Sequence, residues 1–117
     1  MTDPVLDPTA LDRLRRIGGP RLVAAMMRSF IENGASRVLA AREAAAAGNA
    51  AGVSDAGHAL KSSAGNVGAT TLQQVAQRVE RDATTVTGPA LLRLAAELEA
   101  AFGSARIAAE EAIRSVD

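Results

Sequence analysis

From Pro20 to Gly48, residues that can be buried return at three- and four-residue steps without a break: Val23, Met27, Phe30, Gly34, Val38, Ala41 and Ala45. That is the period of an α-helix with one apolar face, and it predicts a helix over about 20–47. A helix of this length cannot bury its stripe alone, so other elements must cover it. The rest of the chain supplies them with the same period. Val53, Ala56, Leu60, Ser63 or Ala64, and Val67 predict a helix over about 50–66. Leu72, Val75, Ala76, Val79, Ala83 and Val86 predict one over about 69–86. Leu91, Leu94, Leu98, Phe102, Ala105, Ala109, Ala112 and Val116 predict one over about 89–116.

Glycine and proline mark the joints. Asp7-Pro8-Thr9 opens a short helix over about 9–17, with Leu11 and Leu14 on one side, and Gly18-Gly19-Pro20 breaks it. Gly48-Asn49 reads as a C-cap followed by an N-cap, and Thr87-Gly88-Pro89 as the last turn. No segment alternates with period two, so strands are not expected. The predicted fold is all-α: an antiparallel up-and-down four-helix bundle with a short additional N-terminal helix, forming a single domain over 1–117.

Such a core has to be filled with little aromatic volume, because the chain holds two Phe and neither Trp nor Tyr. Leu, Val, Ile, Met and much Ala must do it, which favours closely packed helices over a sandwich of sheets. Thirteen Lys and Arg balance thirteen Asp and Glu, which argues against nucleic-acid or electrostatic membrane binding. Cysteine is absent, so disulfides, thiol catalysis and thiolate zinc sites are excluded. One His rules out an all-imidazole metal site, and no metal ligation is expected. The N-terminus lacks a secretory pattern and no apolar run spans a bilayer, so a cytoplasmic location is expected. The Met start and full set of helices lead to the expectation of a free-standing protein.

On a wheel of the helix over 50–66, His58 lies roughly 160° from Leu60 and is expected in solvent. Around it fall Ser54, Asp55, Gly57, Lys61, Ser62 and Gly65. An exposed helix face ordinarily carries long charged side chains, whereas this one is mostly small, with one imidazole and one ammonium. Gly57 and Gly65 each cost about 1 kcal/mol against Ala inside a helix. Trimmed side chains would let another protein approach the backbone and reach the imidazole. A lone surface His is most often inert, and Lys61 alone a solvated charge; the case rests on the constellation.

Residues 58–69 read His-Ala-Leu-Lys-Ser-Ser-Ala-Gly-Asn-Val-Gly-Ala, with Leu72 after them and Val79-Glu80 one helix on. This resembles the histidine-containing phosphotransfer (HPt) domains of bacterial phosphorelays. Their pattern is H-x-L-K-G-S/A, then Gly-Ala, a Leu and a hydrophobic-Glu pair. His58, Leu60, Lys61, Ser63 (or Ala64), Gly68, Ala69, Leu72 and Glu80 match it. Ser62 departs from it, standing where the family usually has Gly. The resemblance covers essentially the whole chain.

It implies a phosphocarrier without kinase activity of its own. His58 would take a phosphoryl group from a phospho-aspartate receiver domain and pass it to another. Lys61, one turn away, would place positive charge beside the phosphoryl oxygens. Glu80 stands at the spacing where the chemotaxis-kinase branch has a glutamate orienting its imidazole. The implied partners are response-regulator receiver domains and a hybrid histidine kinase, met by a monomer. No cofactor is expected on this chain; the Mg²⁺ the reaction needs would sit in the receiver. A histidine-kinase dimerisation domain fits less well: Ala59 follows His58 where that family has an acid, and after His58 no Pro occurs until Pro89. A bundle adaptor with an inert His58 is the remaining alternative.

Overall fold

The computed structural model describes residues 5–115, and every regular element among them is helical. Helix α1 spans Pro8–Ala46, α2 Ala50–Val67, α3 Thr70–Asp82 and α4 Pro89–Ser115, with one 3₁₀ turn at Ala83–Thr85. Met1 to Pro4 and Val116 lie outside the described residues, Val116 being the last position of the predicted C-terminal stripe.

Asp7 caps α1, its carboxylate accepting the Thr9 N–H at 2.9 Å, and Pro8 fills the first turn, where its missing N–H goes unneeded. The predicted break at Gly18-Gly19-Pro20 is present in another form. Gly19 takes φ +69 and ψ −167, which only glycine adopts freely, and the helix kinks there without an intervening loop. The short helix and the first long helix thus meet end to end at Gly19, whose backbone is not helical, and together make up α1. At the far end Gly48 is left-handed and the Asn49 side chain accepts the Gly52 N–H at 3.0 Å, starting α2.

The buried stripes are those the periodicity predicts, Val23 to Ala45 on α1 and Leu91 to Ala112 on α4. On α2 the choice between Ser63 and Ala64 falls to Ala64, which is fully buried. Phe30 and Phe102 pack with ring centroids 5.6 Å apart and planes tilted by 56°. Next to them α1 and α4 meet at Gly34, where a Cβ would lie 2.1 Å from the Phe102 ring. A core short of aromatics therefore spends both of its rings at one crossing and gains closeness from glycine.

The predicted helix over 69–86 is shorter than expected. α3 stops at Asp82, the chain tightens into the 3₁₀ turn, and Val86 is extended at φ −129 and ψ 166. Thr84, Thr85 and Val86 are consecutive β-branched residues, poor at continuing a helix, and Thr85 turns its hydroxyl back to donate to the Asp82 carbonyl at 2.8 Å. Salt bridges from Arg78 to Glu97 and from Arg42 to Glu99 tie α4 to α3 and to α1 at the surface. Among the described residues no helix is long and apolar enough to cross a membrane.

Candidate functional site

Helix α2 has two buried sides, one against α1 and one against α3, and the site grows from the second. Ser54, Gly57, Lys61 and Gly65 recur at three- and four-residue steps and line the α3 edge. Ser54 is half-buried and donates its hydroxyl to the Glu80 carbonyl at 2.9 Å. Gly57 is buried, and a Cβ there would come within 3.0 Å of both the Ala76 carbonyl oxygen and the Glu80 nitrogen. The backbones of α2 and α3 therefore nearly touch one residue before His58.

This corrects the expectation for Gly57. Its small size serves the α2–α3 seam inside the protein, not the approach of a partner. A wheel centred on Leu60 locates one buried side and cannot reveal the second. The other residues expected on this face divide. His58, Asp55, Ser62 and Gly65 are exposed, while Ser54 and Lys61 are intermediate. Gly65 stands beside α3 as well, but a Cβ there would meet only the flexible tip of Gln73 at 3.0 Å.

The close seam brings the Glu80 carboxylate up to α2. His58 Nδ1 lies 2.9 Å from Oε2 and 3.2 Å from Oε1, and Lys61 Nζ donates to Oε1 at 3.0 Å. Lys61 and then His58, by their hydrogen bonds, hold the Glu80 carboxyl below the usual carboxylate range. An ionised carboxylate only accepts, so Nδ1 must carry the proton and donate it. The lone pair then belongs to Nε2, on a side chain 67% exposed. Glu80 is one-quarter exposed, enough to be partly shielded from water by α2.

The arrangement is one nucleophilic ring nitrogen on an exposed side chain, its proton-bearing partner held by a carboxylate, and one ammonium alongside. It can accept a group that arrives from outside on another molecule. Among the described residues no cluster of three His, Asp or Glu side chains could hold a metal ion. Sequence reasoning does not find the anchoring of α3 by Ser54, a residue it places on the partner-binding face for its small size. A glycine in mid-helix, costly unless something approaches it, was the available signal for the seam.

The chain matches the Hpt domain family over residues 25–112 and belongs to it, so histidine phosphotransfer in phosphorelays is its function. It is similar to the crystal structure of histidine-containing phosphotransfer protein B (HptB) from Pseudomonas aeruginosa, with a TM-score of 0.86. That match covers 99% of this chain and 100% of the other at 21% identity, and it speaks to the fold. No curated protein sequence matches the chain significantly.

Proposed function

We propose that His58 is the phosphoryl acceptor, with Nε2 as the attacking atom. The observation that carries this is the Glu80 carboxylate 2.9 Å from Nδ1, which leaves the lone pair on Nε2 of an exposed side chain. In the transfer, Nε2 attacks phosphorus in line with the bond to the receiver's aspartate. A P–N bond forms, the P–O bond breaks, and the aspartate leaves as a carboxylate. The ring, still holding its Nδ1 proton, becomes cationic, and Glu80 opposes that charge. The reverse attack by another receiver's aspartate returns the ring to neutral. Lys61 supplies positive charge for the phosphoryl oxygens, and Ser54, Asp55, Ser62 and Gly65 border the receiver-docking face.

The protein is a phosphocarrier without kinase activity, a monomer, and located in the cytoplasm. Its partners are receiver domains of response regulators and of a hybrid histidine kinase. Mg²⁺ is held by the receiver, since the carboxylate at His58 is already engaged by Lys61 and Nδ1. The helices run antiparallel, in keeping with the connections of two or three residues that join α1 to α2 and α2 to α3. The experiment is transfer from a phosphorylated receiver domain to wild type and to His58→Gln. Acid-labile phosphate on wild type and none on the variant is the expected result. Label retained by His58→Gln would overturn the assignment.

A further inference from the structure

The N-terminal part of α1, residues 8–28, holds Arg13, Arg15, Arg16, Arg21 and Arg28, all exposed, and a single acid, Asp12. The remainder of the chain then has eight basic and twelve acidic residues, so a protein of zero net charge is electrically lopsided. Asp12 is paired with Arg15 at 3.4 Å. Arg13, Arg16, Arg21 and Arg28 have no side-chain acceptor among the described residues.

This basic segment is fixed relative to His58. Asp7, at its head, donates its N–H to the Gly68 carbonyl at 2.8 Å, and a Cβ on Gly68 would lie 2.5 Å from the Ala10 Cβ. Gly68 closes α2 ten residues beyond His58, about 15 Å along the helix axis. Between lie Lys61, held by Glu80, and the Asp7 carboxylate, which caps α1; the other exposed residues are uncharged, Ser62, Gly65 and Asn66 on α2 and Thr70 and Gln73 on α3. A globular partner seated on the imidazole would extend over that distance.

We propose that these arginines are the steering end of the docking face, drawing in and orienting a receiver domain by its acidic surface. The inference rests on the phosphotransfer reading above. The donor face of a phospho-receiver holds a phosphoryl group and the carboxylates that bind Mg²⁺, an anionic surface by its chemistry. At His58 this chain offers it one ammonium, Lys61, already paired with Glu80. Long-range attraction must come from elsewhere, and the arginine end is the basic surplus near enough to supply it. A nucleic acid or an anionic membrane would also draw arginines, but neither engages the exposed imidazole of His58 on the neighbouring helix.

The test is the triple variant Arg13→Glu, Arg16→Glu, Arg21→Glu. Transfer from a receiver loaded with acetyl phosphate and Mg²⁺ is measured below saturation at about 20 and 300 mM salt, with thermal melts as a folding check. Wild type should lose rate as salt rises, because the Debye length shrinks. The variant should be about tenfold slower at low salt, lose most of the salt dependence, and converge on wild type at high salt. Equal rates and salt slopes would overturn the proposal. So would a deficit that persists at high salt, which marks a packing defect. Binding to vesicles of phosphatidylcholine and phosphatidylglycerol that the variant loses, with transfer unchanged, would assign the arginines to a membrane instead. If wild type accepts no phosphoryl group, the phosphotransfer reading fails and takes this one with it; if only the charge reversal is without effect, the steering proposal alone fails.

Discussion

Glu80 on α3 accepts the Nδ1 proton of His58 on α2 at 2.9 Å, and the same carboxylate takes Lys61 at 3.0 Å. One acid thus sets the tautomer of the nucleophile and the resting place of the cation beside it. Removing it should leave the bundle standing and the ring disordered in its proton placement. Glu80→Ala is expected to slow transfer about 10- to 100-fold, the range for partners that orient a reactive imidazole. Nitrogen NMR of the ring should report the Nδ1–H form in wild type and a mixture in the variant, a readout that a purely structural role would not move.

Lys61 is expected to matter to transfer and little to the fold. It is part-exposed and pairs at the surface, where such contacts add little stability. Lys61→Ala should slow transfer by lost charge stabilisation while the Tm moves by less than about 4 °C. A collapse in Tm with transfer intact would reverse the assignment.

The two glycines flanking His58 should part company. At Gly57 a Cβ meets backbone atoms of α3 that cannot turn aside, so Gly57→Ala should destabilise the protein, by about 1–3 kcal/mol for overpacking less about 1 kcal/mol of helix propensity. It should also impair transfer, by moving Glu80. At Gly65 the obstacle is the end of the Gln73 side chain, so Gly65→Ala should be neutral or stabilising by up to about 1 kcal/mol. Gly65→Gln should fold and transfer slowly. Urea melts beside transfer rates distinguish these outcomes.

Stability should carry the mark of Glu80 in its pH dependence. Its carboxyl is held low by Lys61 and by His58, so the unfolded chain binds this proton more readily than the folded one. The resulting stabilisation is complete above the unfolded value, about 4.3, and is lost as pH falls through the lower folded value. Glu80→Gln should therefore be less stable than wild type at pH 7, with the gap closing below about pH 4. Melts from pH 7 to pH 3 check the sign.

Much was legible in the chain by itself. Periodicity determined where the helices lie and one buried face of each, because a 3.6-residue repeat sets a single direction, but not the end of α3 at Asp82 or the second buried side of α2. Val23 to Ala45 and Leu91 to Ala112 are buried as that repeat requires. His58 and Lys61 were legible from residue type and spacing, and Gly19 from the Gly-Gly-Pro run, because these are properties of a few neighbouring residues. What only the tertiary structure decided is how α2 and α3 meet. Gly57 reads as an open surface until the α3 backbone is set against it, and Ser54 as a small filler until it reaches the Glu80 carbonyl. Residues 57 and 80 are far apart in sequence, and a helical repeat gives each helix a buried direction without naming the neighbour that fills it. The family resemblance offers Glu80 as the orienting partner of His58, but the contact that makes the pair, and with it the choice of Nε2 as nucleophile, is a consequence of packing.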